Sequence, residues 1–475
     1  MLKFKIHFWV LLFFMALVSC NKKLDNEVVF PPLNIDQIPA IYIDTLNNSI
    51  VNEPKVPSKL EVRMGDTVVF STNIGIEYRG STSFRLFDQK SYGIELRDAN
   101  GSEVNTNFLG FSVDQDFILY APANDKSLLR NVLIYQLSNE MGMYAAKTKF
   151  VDLYLNGKYN GLYVAMEKIK RTEGRLNLAK MSTTDNSNPN VTGGYIFKID
   201  KSAGDNIIVG WDADATYTEN MSWRSKYDTG GKILGLKYPL YSNKKGVETY
   251  FVYDYPSATN ITTEQKKYIQ KYVDDFEDAL LSTDFKDPAK GYAAYIDVSS
   301  FIDFFLLNEL SHNPDAYRLS TFLNKPRGGK LKMGPIWDFN IAFGNHDNKV
   351  LAATNNWIFN FNRYVPNDLW LVNFWGYRLF QDPAFKEKMK TRWSTLRTTH
   401  LSNANINKII TDKVALLEKN NSINKHFNKW KILGVQLPFN DAGAVSRTTY
   451  KAELDFFKNW ITARLSWMDE NIPKL

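Results

Sequence analysis

The sequence predicts an α+β chain with a β-rich N-terminal lobe and a helical C-terminal lobe, on three observations. Short alternating apolar runs between Gly, Pro, Asn and Asp fill residues 28–116. Apolar positions recur at helical spacing after Thr263 and dominate from Trp370 onward. At 475 residues and 44% hydrophobic, the chain exceeds a typical single domain, so two lobes or one elaborated domain are expected.

Residues 1–19 read as a targeting segment. Lys3 and Lys5 precede a short apolar core, Phe8 to Val18, and Leu17-Val18-Ser19-Cys20 resembles a bacterial lipobox. Cys20 is the only cysteine, so acylation there leaves no thiol for a disulfide, catalysis or a metal. Lipid on Cys20 implies a protein anchored in the cell envelope, at the outer membrane or cell surface, with residues 20–38 as a tether.

The remaining elements follow in order. Ile41-Tyr42-Ile43, Leu60-Glu61-Val62, Thr67-Val68-Val69-Phe70 and Tyr92-Gly93-Ile94-Glu95-Leu96 alternate as strands. Leu129, Leu133, Leu137 and Met141 mark a helix that Asn124 or Asp125 can cap and Gly142 stops. Residues 150–155 and 161–166 form a hairpin about Asn156-Gly157, and residues 194–199 another strand. Residues 201–260 read as an insert of loops with a hairpin. Ile269, Val273, Phe276 and Leu280 stripe one later helix; Phe385, Met389, Trp393 and Leu396 another; Phe457, Ile461, Arg464, Leu465 and Met468 the last. These divisions give a β-rich lobe over 39–200, the insert over 201–260 and a helical lobe over 261–472.

Asp315 and Asp338 lie on either side of the turn Lys325-Pro326-Arg327-Gly328-Gly329-Lys330. A hairpin there would return both carboxylates to one place. Phosphoryl transfer asks for that pair: one acid orients or deprotonates the acceptor hydroxyl, another holds Mg²⁺ against phosphates. Each could equally be a turn residue or a helix cap.

Other chemistries are narrowed by composition. Five histidines show no HExxH spacing, and no GxSxG elbow, Walker lysine loop or GxGxxG is present. The formal charge of +7, which falls to +5 without Lys3 and Lys5, is spread along the chain and forms no nucleic-acid patch. Paired acids leave phosphoryl transfer or glycoside hydrolysis open.

Several strings resemble those of the CotH family of spore-coat atypical kinases. Tyr78-Arg79-Gly80-Ser81-Thr82-Ser83 with Gln89-Lys90-Ser91-Tyr92 is similar to its RGNST…KKPY signature. Asp125-Lys126-Ser127-Leu128-Leu129-Arg130-Asn131, then Gly157-Lys158-Tyr159-Asn160-Gly161-Leu162-Tyr163 with Glu167, resemble its next two motifs. Pro335-Ile336-Trp337-Asp338-Phe339 with Phe343-Gly344 resembles its P-W-D-F-D…F-G segment. Arg392-Trp393 and Arg464…Trp467-Met468-Asp469 fit its tail, so the matches run in order over about residues 40–472.

The resemblance implies a divergent protein-kinase-like bilobal fold that uses ATP and Mg²⁺ to phosphorylate protein Ser or Thr. It makes Asp315 the catalytic acid and Asp338 a metal ligand, with Asn340 where the family has a second acid. Arg79, Lys90, Lys126 and Arg130 become candidates for phosphate oxygens, and Glu167 for a Lys–Glu couple. Each has a plainer role open to it: Arg79 bracing a turn, Lys90 on an exposed strand, Arg130 paired to a neighbouring acid, Glu167 on the surface. Ser320 or Thr321 stands where relatives carry a metal-binding Asn. A non-catalytic surface lipoprotein binding a partner or glycan, with aromatic loops at Trp211, Trp223, Trp357, Trp370 and Trp375, is the alternative.

Overall fold

The computed structural model describes residues 30–34, 36–201, 217–234 and 247–475. The expected signal segment, Cys20 and Trp211 lie outside the described residues. The α+β class holds, and the N-terminal strands close into a seven-stranded barrel.

The barrel comprises β1 (Ala40–Asp44), β2 (Val56–Met64), β3 (Thr67–Arg79), β4 (Ser91–Arg97), β5 (Asp116–Tyr120), β6 (Thr148–Leu155) and β7 (Lys158–Glu167). Neighbours run β1-β2-β3-β4-β5-β7-β6, and β6 returns to β1 in parallel, Ile41 opposite Leu153. Period-two alternation sends Ile41, Leu60, Val62, Ile74, Ile94, Phe117 and Leu153 into one interior core. Closure removes the strand edges that would otherwise invite pairing with another chain. Phe30 joins this core, its ring 5.0 Å from Phe70 and 5.7 Å from Phe108. Phe30, inside the stretch expected as tether, is therefore part of the packed barrel. Asn156 and Gly157 both have positive φ, 49° and 76°, as a type I′ turn requires between β6 and β7.

Between barrel strands lie α1 (Thr82–Leu86) and α2 (Arg130–Glu140). The N-cap of α2 is Leu129 rather than Asn124 or Asp125, although the Asp125 carboxylate accepts the Arg130 amide at 2.9 Å. Alternate residues on β5, β6 and β7 point outward, so Ile118, Phe150, Val164 and Met166 pack with Leu133 and Leu137 of α2 in the larger core.

A second sheet contains β8 (Tyr195–Ile199), β9 (Ser222–Asp228), β10 (Glu248–Tyr255), β11 (Thr321–Lys325) and β12 (Lys332–Met333), in the order β12-β11-β8-β10-β9. The hairpin expected in 201–260 is β9–β10. Because β8 pairs with β11, a boundary at residue 200 cuts through this sheet. Gly193 permits the close approach of the β11–β12 turn, since a Cβ there would lie 2.5 Å from the Pro326 carbonyl carbon.

The helices are α3 (Thr263–Leu281), α4 (Val298–Ser311), α5 (Phe361–Tyr364), α6 (Trp375–Leu379), α7 (Pro383–Arg397), α8 (Asn403–Lys419), α9 (Ser422–Lys429) and α10 (Tyr450–Asn471). Thr262 and Gln265 form a capping box on α3. The stripes read from the sequence on α3, α7 and α10 are all buried.

Candidate functional site

Asp315 lies in the loop that leaves α4. His312 ends that helix in the left-handed region, φ 48°, and its ring is held by the Leu351 carbonyl and Asn356. Asn313 then accepts the Asp315 amide at 3.2 Å, an Asx turn that Pro314 stiffens. The chain runs into β11, turns, and returns as β12 with Leu323 opposite Met333. The hairpin inferred from the Pro-Arg-Gly-Gly turn is present, and Asp338 follows five residues after β12.

Helix α2 fixes the backbone at Asp338. The Asp338 amide donates to the Tyr135 hydroxyl at 3.0 Å, and the Phe339 amide to Asn131 Oδ1 at 2.7 Å. Asn313 Nδ2 reaches the Asp338 carbonyl at 3.4 Å, tying the two acidic segments together. Asp338 itself has φ 63°, a conformation Asp tolerates better than most residues.

The electrostatics show which charges gather. The half-buried Asp338 carboxyl is pushed up to about 7, by burial first, then by the charges of Asp315 and Asp200; Lys201 and Arg79 pull the other way. Three aspartates and two cations therefore share one field. Asp200 was not singled out in the sequence. It follows β8 directly, and the β8–β11 register, Ile199 opposite Thr321, carries it to the start of the β11–β12 hairpin. Its carboxylate meets Lys198 at 3.0 Å and its own neighbour's amide, Lys201 N, at 2.9 Å.

Arg79, at the end of β3, faces the Trp337 ring at 5.9 Å and the Asp338 charge. It is the expected phosphate contact that the structure brings to the acids. The other candidates have internal partners. Lys90 Nζ donates to the Phe84 and Phe87 carbonyls, both at 2.5 Å, closing the end of α1. Lys126 is buried against the Val435 carbonyl, with Glu453 at 3.8 Å. Arg130, 2% exposed, pairs with Asp125 and also donates to the Ala342 carbonyl at 2.9 Å, the neighbouring-acid arrangement. Glu167 is fully buried and accepts from Ser112 N, Lys147 N and the Tyr144 hydroxyl. Strand register sets Glu167 level with Ile94, four residues beyond Lys90, about 13 Å along the strand. A Lys90–Glu167 couple does not form.

Asn340 donates to Asn124 Oδ1 at 3.0 Å, and Asn345 and Asn440 both donate to the Asn124 carbonyl. Thr321 donates to the Leu319 carbonyl, so its hydroxyl proton is engaged. Trp223 and Trp375 are core residues, whereas Trp357 and Trp370 are half-buried.

Among the described residues, no three His, Cys, Asp or Glu side chains converge closely enough to hold a metal unaided. Mg²⁺ at phosphoryl-transfer sites takes one or two carboxylates and completes its shell with phosphate oxygens and water. Asp338 suits that role. Its carboxylate accepts no hydrogen bond from the described residues, is a hard oxygen donor, and lies beside two like charges.

The family profile described as CotH kinase protein matches residues 76–468. Inner spore coat protein H of Bacillus subtilis (strain 168) is 24% identical over 184 residues, covering 39% of this chain and 44% of that protein. The matched stretch thus spans less than half of that relative. The family match covers most of the sequence, including every acid at the hairpin: the chain belongs to the CotH family.

Proposed function

We propose that this protein transfers the γ-phosphoryl group of ATP, with Mg²⁺, to Ser or Thr hydroxyls of a protein acceptor. The observation that carries this reading is the gathering of Asp315, Asp338 and Asp200 around one hairpin, with Arg79 beside them. Asp338 would hold Mg²⁺, which supplies charge neutralisation between the phosphates. Asp315 keeps one oxygen on Arg318 and offers the other to the acceptor hydroxyl. Arg79 would face the phosphate oxygens. On this reading the barrel and the helix-covered sheet are the two lobes of a divergent kinase-like fold, with α2 at their junction.

The relative's spore-coat name supports an envelope-associated role, with lipid on Cys20 as the anchor. No helix among the described residues is long and apolar enough to cross a membrane.

The test is labelled ATP and Mg²⁺ with protein lacking residues 1–20, beside Asp315→Ala and Asp338→Ala. Transfer by the wild type and its loss in both variants is expected; equal transfer by all three refutes the assignment. A second reading, a non-catalytic scaffold for a partner protein or glycan, is favoured by Asn340 being bonded to Asn124 and by the internal partners of Lys90, Lys126 and Arg130. Absence of Mg²⁺-dependent nucleotide binding by the wild type in calorimetry would select it, and tight binding would count against it.

A further inference from the structure

Arg318 stands three residues after Asp315 and is 7% exposed. Its guanidinium makes four directed contacts: Nε to the Pro314 carbonyl at 2.8 Å, one terminal nitrogen to Asp315 Oδ1 at 2.9 Å, and the other to Asp368 Oδ1 at 3.0 Å and the Trp370 carbonyl at 3.1 Å. The Phe361 ring lies under it at 4.1 Å. The far anchor continues around the acids: Trp370 Nε1 donates to the Tyr217 hydroxyl, which donates to the Asp200 carbonyl at 3.0 Å. A chain of hydrogen bonds thus runs from Asp315 through Arg318 and residues 368–370 to Asp200.

We infer that Arg318 is a positioning residue: it locks the Asp315 side chain in place by bracing it against the Asp368–Trp370 segment. This rests on the phosphoryl-transfer reading. A planar fork bonded on every edge fixes direction as well as charge, which an ammonium cannot do. Asp315 has no other side-chain donor among the described residues, so its carboxylate orientation depends on this contact. Arg318 is buried and its guanidinium is engaged by these protein partners, so it acts through Asp315.

The test compares Arg318→Met, Arg318→Lys and Asp368→Asn with the wild type in steady-state transfer, alongside nucleotide KM and thermal midpoint. Misplacing a reacting group by about 1 Å costs on the order of 100-fold, and that loss in kcat is expected for Arg318→Met with nucleotide KM within about twofold. Arg318→Lys should recover part of it, and Asp368→Asn, which leaves the Pro314 and Trp370 carbonyls in place, should lose about 10-fold. Retained kcat in Arg318→Met, or a kcat loss that tracks the thermal midpoint across all three variants, overturns the inference and leaves the phosphoryl-transfer reading intact. No transfer by the wild type removes both.

Discussion

Glu309, near the C-terminal end of α4, and Asp338, after β12, both have carboxyls that burial pushes up to about 7. Their surroundings differ in kind. Glu309 accepts from the Ile358 and Phe359 amides, the Tyr317 hydroxyl and Arg464, itself fully buried. Every lone pair has a donor, so this acid stitches α10 to α4 and nothing further can bind it. Asp338 has no such donors among the described residues; it feels the charges of Asp315 and Asp200, opposed by Lys201 and Arg79. The first acid is completed by the protein; on the proposed reading, the second takes a cation from outside.

The contrast breaks first at the ion pair. Arg464→Met leaves Glu309 buried without its counter-charge, and urea unfolding should show a loss of about 4 kcal/mol. A loss below about 1 kcal/mol would mean that the amide donors suffice alone.

Glu277 of α3 is an intermediate case, with two neutral donors among the described residues, Ser225 and Trp375. Burial pushes its carboxyl up to about 8 from 4.5. Ionisation therefore opposes folding, so its contribution is intact below about pH 4.5 and drains away as pH rises to about 8. Glu277→Gln should flatten that slope and stabilise the protein by about 3 kcal/mol near pH 8. Parallel stability curves for variant and wild type would place the ionisation cost elsewhere.

Asp338 has the same sign, because its folded value lies above the usual 3.8. In Mg²⁺-free buffer at about pH 8, Asp338→Asn should gain roughly 2 kcal/mol, whereas Mg²⁺ with nucleotide should raise the thermal midpoint of the wild type only. A variant that still responds to Mg²⁺ would move the metal site off Asp338.

Lys90→Met probes the smallest difference. Two carbonyl contacts predict about 1 kcal/mol of lost stability with nucleotide affinity within twofold. A tenfold affinity loss would return Lys90 to the phosphate site.

Local rules made part of this legible in the sequence. The Asn156-Gly157 turn, the buried helix stripes and the hairpin that joins the Asp315 and Asp338 segments all depend on neighbours within a few residues. Pairings between distant strands carry no such signal. Barrel closure rests on β1 meeting β6, more than a hundred residues apart, and Asp200 reaches the site through the β8–β11 register. Motif strings also carry no information on side-chain partners. Lys126 and Arg130 stand in a kinase-like string, yet their charges neutralise Glu453 and Asp125 inside the fold. A motif records which residues occur together, not whether a charge faces solvent or a neighbour.

Phe30 wedged into the barrel sets the length of a leash. It lies ten positions beyond Cys20, a span of at most about 35 Å when fully drawn out. A lipid at Cys20 would moor the barrel that close to the bilayer surface, and on the proposed reading a protein acceptor would be met in a shallow layer beside the membrane.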